Sequence, residues 1–156
     1  MFRSTQVRID GNSAEKKVQS FDFQKGLPGI FEEFLMVKAV RGAIGVEKNT
    51  ADDIEKAVCA CVDELVRING IRESAIVSIL FSQTRDLYAK NPATSVRGMG
   101  YGDVPLFCVQ EPEYEGSLPM IIRVLITYET PETRRPIPVY LGRAKTLRPD
   151  LFEEKV

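Results

Sequence analysis

Val104-Pro-Leu-Phe-Cys-Val-Gln-Glu111 and, after a turn-rich connection, Ile121-Ile-Arg-Val-Leu-Ile-Thr-Tyr128 are the two runs whose reading decides the fold. Both are short, rich in Val, Ile and Phe, and bounded by Pro and Gly, so both predict buried strands. Each carries a charge where a buried strand should have none. Glu111 ends the first run, and Arg123 sits between Ile122 and Val124 in the second. A hairpin across Pro112 to Pro119 makes the two neighbours. An unpaired buried charge costs about 3–5 kcal/mol when its partner is removed. Two readings follow: a structural ion pair across two strands, or an arginine held ready for an anionic ligand.

Working outward, Val37 to Val46 predicts a strand with Lys38, Val40 and Gly42 on one face and Ala39, Arg41 and Ala43 on the other. Gly42 and Gly45 mark close backbone approach, to a ligand or to another strand. Arg41, between two alanines, either reaches into a cavity or snorkels at a strand end. Thr50 opens a helix, with Asp52 and Asp53 in its first turn, and Asn69-Gly70 stops it. Apolar residues recur at Ile54, Ala57, Val58, Cys61, Leu65 and Ile68. That stripe has the helical period, so Cys61 belongs to the core and Cys59 lies off it. Ile76 to Thr84 is a second strand, Arg85-Asp86 a turn, and Asn91-Pro92 to Arg97 a short helix. Gly98 to Gly102 is glycine-rich but lacks a phosphate-loop lysine, and reads as a mobile loop. Thr130 to Pro138, with Arg134 and Arg135, reads as a solvated loop. A last strand spans Val139 to Leu147, carries Tyr140, and gives way at Pro149. The sum is an α+β (α/β-like) chain: a five-stranded mixed sheet with one long and one short helix. One long helix leaves part of such a sheet uncovered, which predicts a homo-oligomer.

The chain of 156 residues divides into an arm over 1–35 and a core domain over 36–156. The arm holds Phe2, Phe21, Phe23, Phe31 and Phe34, five of the eight phenylalanines. Disordered segments are poor in such surface, so part of the arm is expected to pack on the domain or on a neighbouring subunit. The alternative is a leader, with Met36 as the first residue of the core. Histidine is absent. That removes histidine acid–base chemistry, histidine-activated nucleophiles and most zinc or non-haem iron sites. Cys59, Cys61 and Cys108 make neither a disulfide framework nor a metal pair, so no metal is expected and a reducing cytoplasm fits. The net charge of −1 gives no general attraction to nucleic acid or an anionic membrane. No apolar run approaches the roughly 20 residues that a membrane span needs.

Five motifs carry a family resemblance. They are Val40-Arg-Gly-Ala43, Pro92-Ala-x-x-Val-Arg97, Val104-Pro-x-x-Cys-x-Gln-Glu111, Ile122-Arg-Val124, and Val139-Tyr-Leu141 with Leu147-Arg-Pro-Asp-Leu151. In this order and spacing, over about Lys38 to Leu151, the chain resembles the monofunctional bacterial chorismate mutases of the trimeric, single-domain, pseudo-α/β-barrel class. The resemblance implies conversion of chorismate to prephenate in aromatic amino-acid synthesis, by an intramolecular Claisen rearrangement without a cofactor. It also implies a homotrimer with its sites at subunit interfaces. By the family's pattern, Arg123 donates to the breaking ether oxygen and to the enolpyruvyl carboxylate. Arg41 and Tyr140 hold the side-chain carboxylate, and Glu111 accepts from the ring hydroxyl with the backbone at Cys108 beside it. Arg148 and, from the adjacent subunit, Arg97 add positive field at the mouth, while Phe107 and Leu147 complete the lining. The chain departs from the pattern at Asn91 to Thr94, where an aromatic residue and a lysine are common, and at Phe107, where a small hydroxyl residue is common. Competing readings are a trimeric reactive-imine deaminase and a trimeric metabolite-binding protein without turnover.

Overall fold

The computed structural model describes residues 35–152. The arm lies outside them but for Leu35, and so does the expectation that its phenylalanines pack. The described elements are β1 (Met36–Gly45), α1 (Ala51–Asn69), β2 (Ile76–Gln83), α2 (Pro92–Gly98), β3 (Leu106–Gln110), β4 (Ile121–Thr130) and β5 (Val139–Leu141). The five strands form one mixed sheet in the order β3-β2-β4-β1-β5. β4 runs antiparallel to β1 and β2, while β3 is parallel to β2 and β5 is parallel to β1.

Local chemistry sets the helix ends. Thr50 Oγ1 accepts from Asp53 N at 3.1 Å and satisfies an orphan donor of the first turn of α1. Gly70 closes the helix at φ 62, a left-handed conformation that favours glycine. Asn69 is buried and staples the helix end to the proline-rich loop, with its Oδ1 accepting from Ile137 N at 2.7 Å. Arg134, expected on a solvated face, reaches back and donates to the Asn69 carbonyl at 2.9 Å.

The core lies between the sheet and the helices. Val40, Ile79, Phe81, Ile122, Val124 and Ile126 meet Ile54, Val58, Cys61 and Leu65 of α1. Each such side chain contributes about 1.5–3 kcal/mol by leaving water. Gly42 sits where helix and sheet come closest: a Cβ there would lie 2.8 Å from Leu65 Cδ1, 3.0 Å from Cys61 Sγ and 3.1 Å from the Val139 carbonyl of β5. The close approach expected at Gly42 is therefore to α1 and a neighbouring strand. At Gly45 it is to the Arg143 side chain.

Two strand readings are corrected. The expected hairpin does not form, because β2 lies between β3 and β4 and bonds to both. The last strand ends at Leu141 and not at Leu147. Gly142 turns the chain at φ 56, and 3₁₀ turns follow over Gly142–Leu147 and Pro149–Leu151. Pro149 thus begins a turn where it was expected to end regular structure.

The second sheet face is uncovered by helix among the described residues. Strand register lines up Arg41, Leu125, Leu80 and Phe107 in one row across this face. Ala43, Arg123, Ser82 and Val109 form the next row, with Tyr140 beside Ala43.

Candidate active site

Arg123 stands on the central strand, facing the uncovered side. Its Nη1 lies 2.5 Å from Glu111 Oε1, and the pair is mostly buried, with side-chain exposures of 29% and 15%. Glu111 N donates to the Gln83 carbonyl at 2.8 Å, which extends the β2–β3 ladder by one residue. By the period of two, that places the Glu111 side chain on the same face as Phe107 and Val109. Ser82, between Arg123 and Glu111 on β2, donates its hydroxyl to the other carboxylate oxygen. The acid is thus held by an ion pair on one oxygen and a hydroxyl on the other.

Arg41 enters from β1 and Tyr140 from β5. The turn at Gly142 then folds the chain back, so that Leu147 and Arg148 lean over the same region. A cavity of about 420 Å³ results, lined by Arg41, Arg123, Tyr140, Leu147 and Arg148 together with Ser82 and Tyr114. Leu80 and Leu125 supply apolar wall. Arg148 is engaged bidentately by Asp150, with Nε to Oδ1 at 2.8 Å and Nη2 to Oδ2 at 2.7 Å. The Arg148 hydrogen bond holds the Asp150 carboxyl below its usual range, with help from the charges of Arg148 and Arg41. In turn Asp150 first, and Tyr140 less strongly, raise the Arg148 guanidinium above its ordinary value.

Three guanidinium groups around one cavity suit a small dianion, because each presents a planar fork to a carboxylate. Partial engagement by Glu111 and Asp150 keeps two of them satisfied in the free protein. Among the described residues no group of His, Cys, Asp and Glu is placed to hold a metal ion.

Of the residues expected at the site, Arg41, Arg123, Tyr140, Leu147 and Arg148 line the cavity, and Glu111 reaches it through Arg123. Arg97, Phe107 and Cys108 do not line it within the one chain. Phe107 projects from the edge strand on the uncovered face, 67% exposed. Arg97 is exposed on the last turn of α2. The Cys108 thiol donates to Asn91 Oδ1 at 3.2 Å, and burial raises its pKa against the opposing effects of the Ala93 N–H and Arg97. Asn91 itself caps α2, its Oδ1 accepting from Ala93 N at 2.9 Å. That gives the short polar residue at Asn91 a local role, in the segment Asn91 to Thr94 where the chain departs from the family's pattern.

Ser82, Tyr114 and Asp150 were not anticipated. Alternation along β2 puts Ser82 on one face with Leu80, and Asp150 stands two residues from Arg148. Those were the available signals, and for Tyr114 there was none.

The pattern of the family described as chorismate mutase type I matches residues 37–151. A chorismate mutase AroH from Thermus thermophilus is 38% identical over 118 residues, covering 74% of this chain and 97% of that protein. A chorismate mutase AroH from Bacillus subtilis (strain 168) is 35% identical over 119 residues, covering 75% of this chain and 94% of that protein. A solved chorismate mutase from Clostridium thermocellum superposes with a TM-score of 0.66 at 37% identity, covering 70% of this chain and 98% of the other.

Proposed function

This chain belongs to the type I chorismate mutase family, and we propose that the arginine-lined cavity is where it folds and holds its substrate. The protein is an isomerase that converts chorismate to prephenate. In that rearrangement one carbon–oxygen bond breaks and one carbon–carbon bond forms within a single molecule. No proton, hydride or group leaves, so a chain without histidine can do the work by positioning and electrostatics.

Arg123 donates to the ether oxygen as negative charge grows there, and to the enolpyruvyl carboxylate. Arg41 and Tyr140 grip the side-chain carboxylate. Glu111 accepts from the ring hydroxyl while it keeps Arg123 oriented. Arg148 exchanges Asp150 for a substrate carboxylate at the mouth. The observation that carries this reading is the convergence of Arg41, Arg123 and Arg148 on one cavity, with Glu111 fixed beside the central one.

The active form is a homotrimer with its sites at subunit interfaces. Supporting this, Leu80, Leu125, Val109 and Phe107 are exposed on the face that carries the cavity. A neighbouring copy covers them and brings its Arg97 and the edge bearing Phe107 and Cys108 to the rim. A cytoplasmic setting suits its three free thiols.

The test is to incubate pure protein with chorismate and follow the loss of diene absorbance and the appearance of prephenate, with sedimentation equilibrium on the same sample. Turnover by a trimer supports the reading. Binding without conversion overturns the catalytic assignment, and an active monomer overturns the interface.

A further inference from the structure

The connection from β3 to β4 has to cross the end of β2, because β2 lies between the strands it joins. Both ends of this crossing are tied down. Glu111 is held by Gln83, Ser82 and Arg123. At the far end Met120 N donates to both carboxylate oxygens of Asp86, at 3.1 and 2.9 Å. Ile121 N donates to Thr84 Oγ1 at 3.0 Å. Between these anchors a tight turn closes, with Ser117 N donating to the Tyr114 carbonyl at 3.0 Å and Gly116 at φ 81. Tyr114 is the one residue between Glu111 and Ile121 that lines the arginine cavity. Glu113 instead lines a separate hollow of about 310 Å³ with Thr84, Arg85 and Asp86. The loop therefore brings Tyr114 to the wall of the arginine cavity, while Glu113 lines the other hollow.

Tyr114 is 58% exposed, although a tyrosine ring carries a large apolar surface. An aromatic ring held at the lip of a cavity gives contact area and one hydroxyl donor with few rotatable bonds. Within the cavity, two of the three arginines are partly engaged by Glu111 and Asp150.

We infer that Tyr114, carried by the β3–β4 crossing, is a substrate-binding residue that donates its phenol O–H to a carboxylate of the bound dianion. The inference rests on the reading of the cavity as the chorismate site. Its contribution falls on binding, because a carboxylate remote from the breaking bond keeps its charge through the reaction.

The experiment compares kcat, KM and melting temperature for the full-length protein, Tyr114→Phe and Tyr114→Ala. Both variants are expected to raise KM about tenfold, as loss of a hydrogen bond to a charged group does. We expect kcat to change less than threefold and the melting temperature to hold, since the side chain is exposed. A wild-type KM in Tyr114→Ala overturns the inference and leaves the site reading standing. A wild-type KM in Tyr114→Phe alone overturns donation by the hydroxyl. Full-length protein that leaves chorismate unchanged overturns the site reading and this inference together.

Discussion

Arg123 and Glu111 meet across a strand and not across a turn: Arg123 Nη1 lies 2.5 Å from Glu111 Oε1 while Ser82, on the strand between them, donates to the second carboxylate oxygen. The parallel pairing of β3 with β2 makes this possible, because it brings Gln110 beside Gln83. Antiparallel β4 begins at that same end, with Ile122 opposite Gln83. Three strand ends therefore converge, and the two charges of the apolar runs fall within contact of each other.

Replacing Arg123 by lysine keeps the charge and removes the fork. An ammonium on a flexible stem cannot bridge an ether oxygen and a carboxylate in one geometry. We expect kcat to fall on the order of 10²–10³-fold, the range for losing an oxyanion donor. Diene absorbance measures it directly, and near-normal turnover in a folded Arg123→Lys protein would falsify the role.

Glu111→Gln and Ser82→Ala separate charge from orientation. Glu111→Gln leaves a mostly buried guanidinium without its counter-charge, so kcat should drop more than about tenfold. Ser82→Ala removes one hydrogen bond, worth about 1 kcal/mol, and should cost activity less. Kinetics and melting curves on both variants are needed. If Glu111→Gln lowers only the melting temperature, the acid serves the fold alone.

Gly42→Ala tests the contact between helix and sheet. The new methyl would meet Leu65 Cδ1 at 2.8 Å and the Val139 backbone carbonyl at 3.1 Å, and a backbone atom cannot swing aside. Overpacking of this kind costs about 1–3 kcal/mol, which calorimetry should register as a fall in melting temperature of several degrees. Gly45→Ala would strike the flexible Arg143 side chain at 2.4 Å and should cost less. An unaltered melting temperature in Gly42→Ala would mean that α1 sits further from β1 than described.

Cys61 makes stability depend on alkaline pH. Burial pushes its thiol up to about 12, from 9.0 for a free cysteine. Between those values the folded chain retains a proton that the unfolded chain has lost. Stability from this group is complete below pH 9 and declines as pH rises toward 12, by up to about 1.4 kcal/mol per pH unit. Urea midpoints measured at pH 8.5 and 10.5 should differ, and Cys61→Ala should narrow the gap. An equal gap in the variant would assign the loss to other groups.

Local sequence was enough for the helix limits, the apolar stripe that buries Cys61, the division of β1 into two faces, and chemistry without histidine. These rest on capping and periodicity, which act over a few residues or along one strand. The family's motifs singled out Arg41, Arg123 and Tyr140, which line one cavity. The fold alone reveals that β2 separates β3 from β4, that Ser82 stands between the ion-pair partners, and that Gly142 folds Leu147 and Arg148 over the cavity that Tyr114 also lines. Strand order depends on hydrogen bonds between residues far apart in the chain, and several pairings of short apolar strands satisfy the backbone equally well. The choice among them is made by how the whole sheet packs on α1, which no local stretch records.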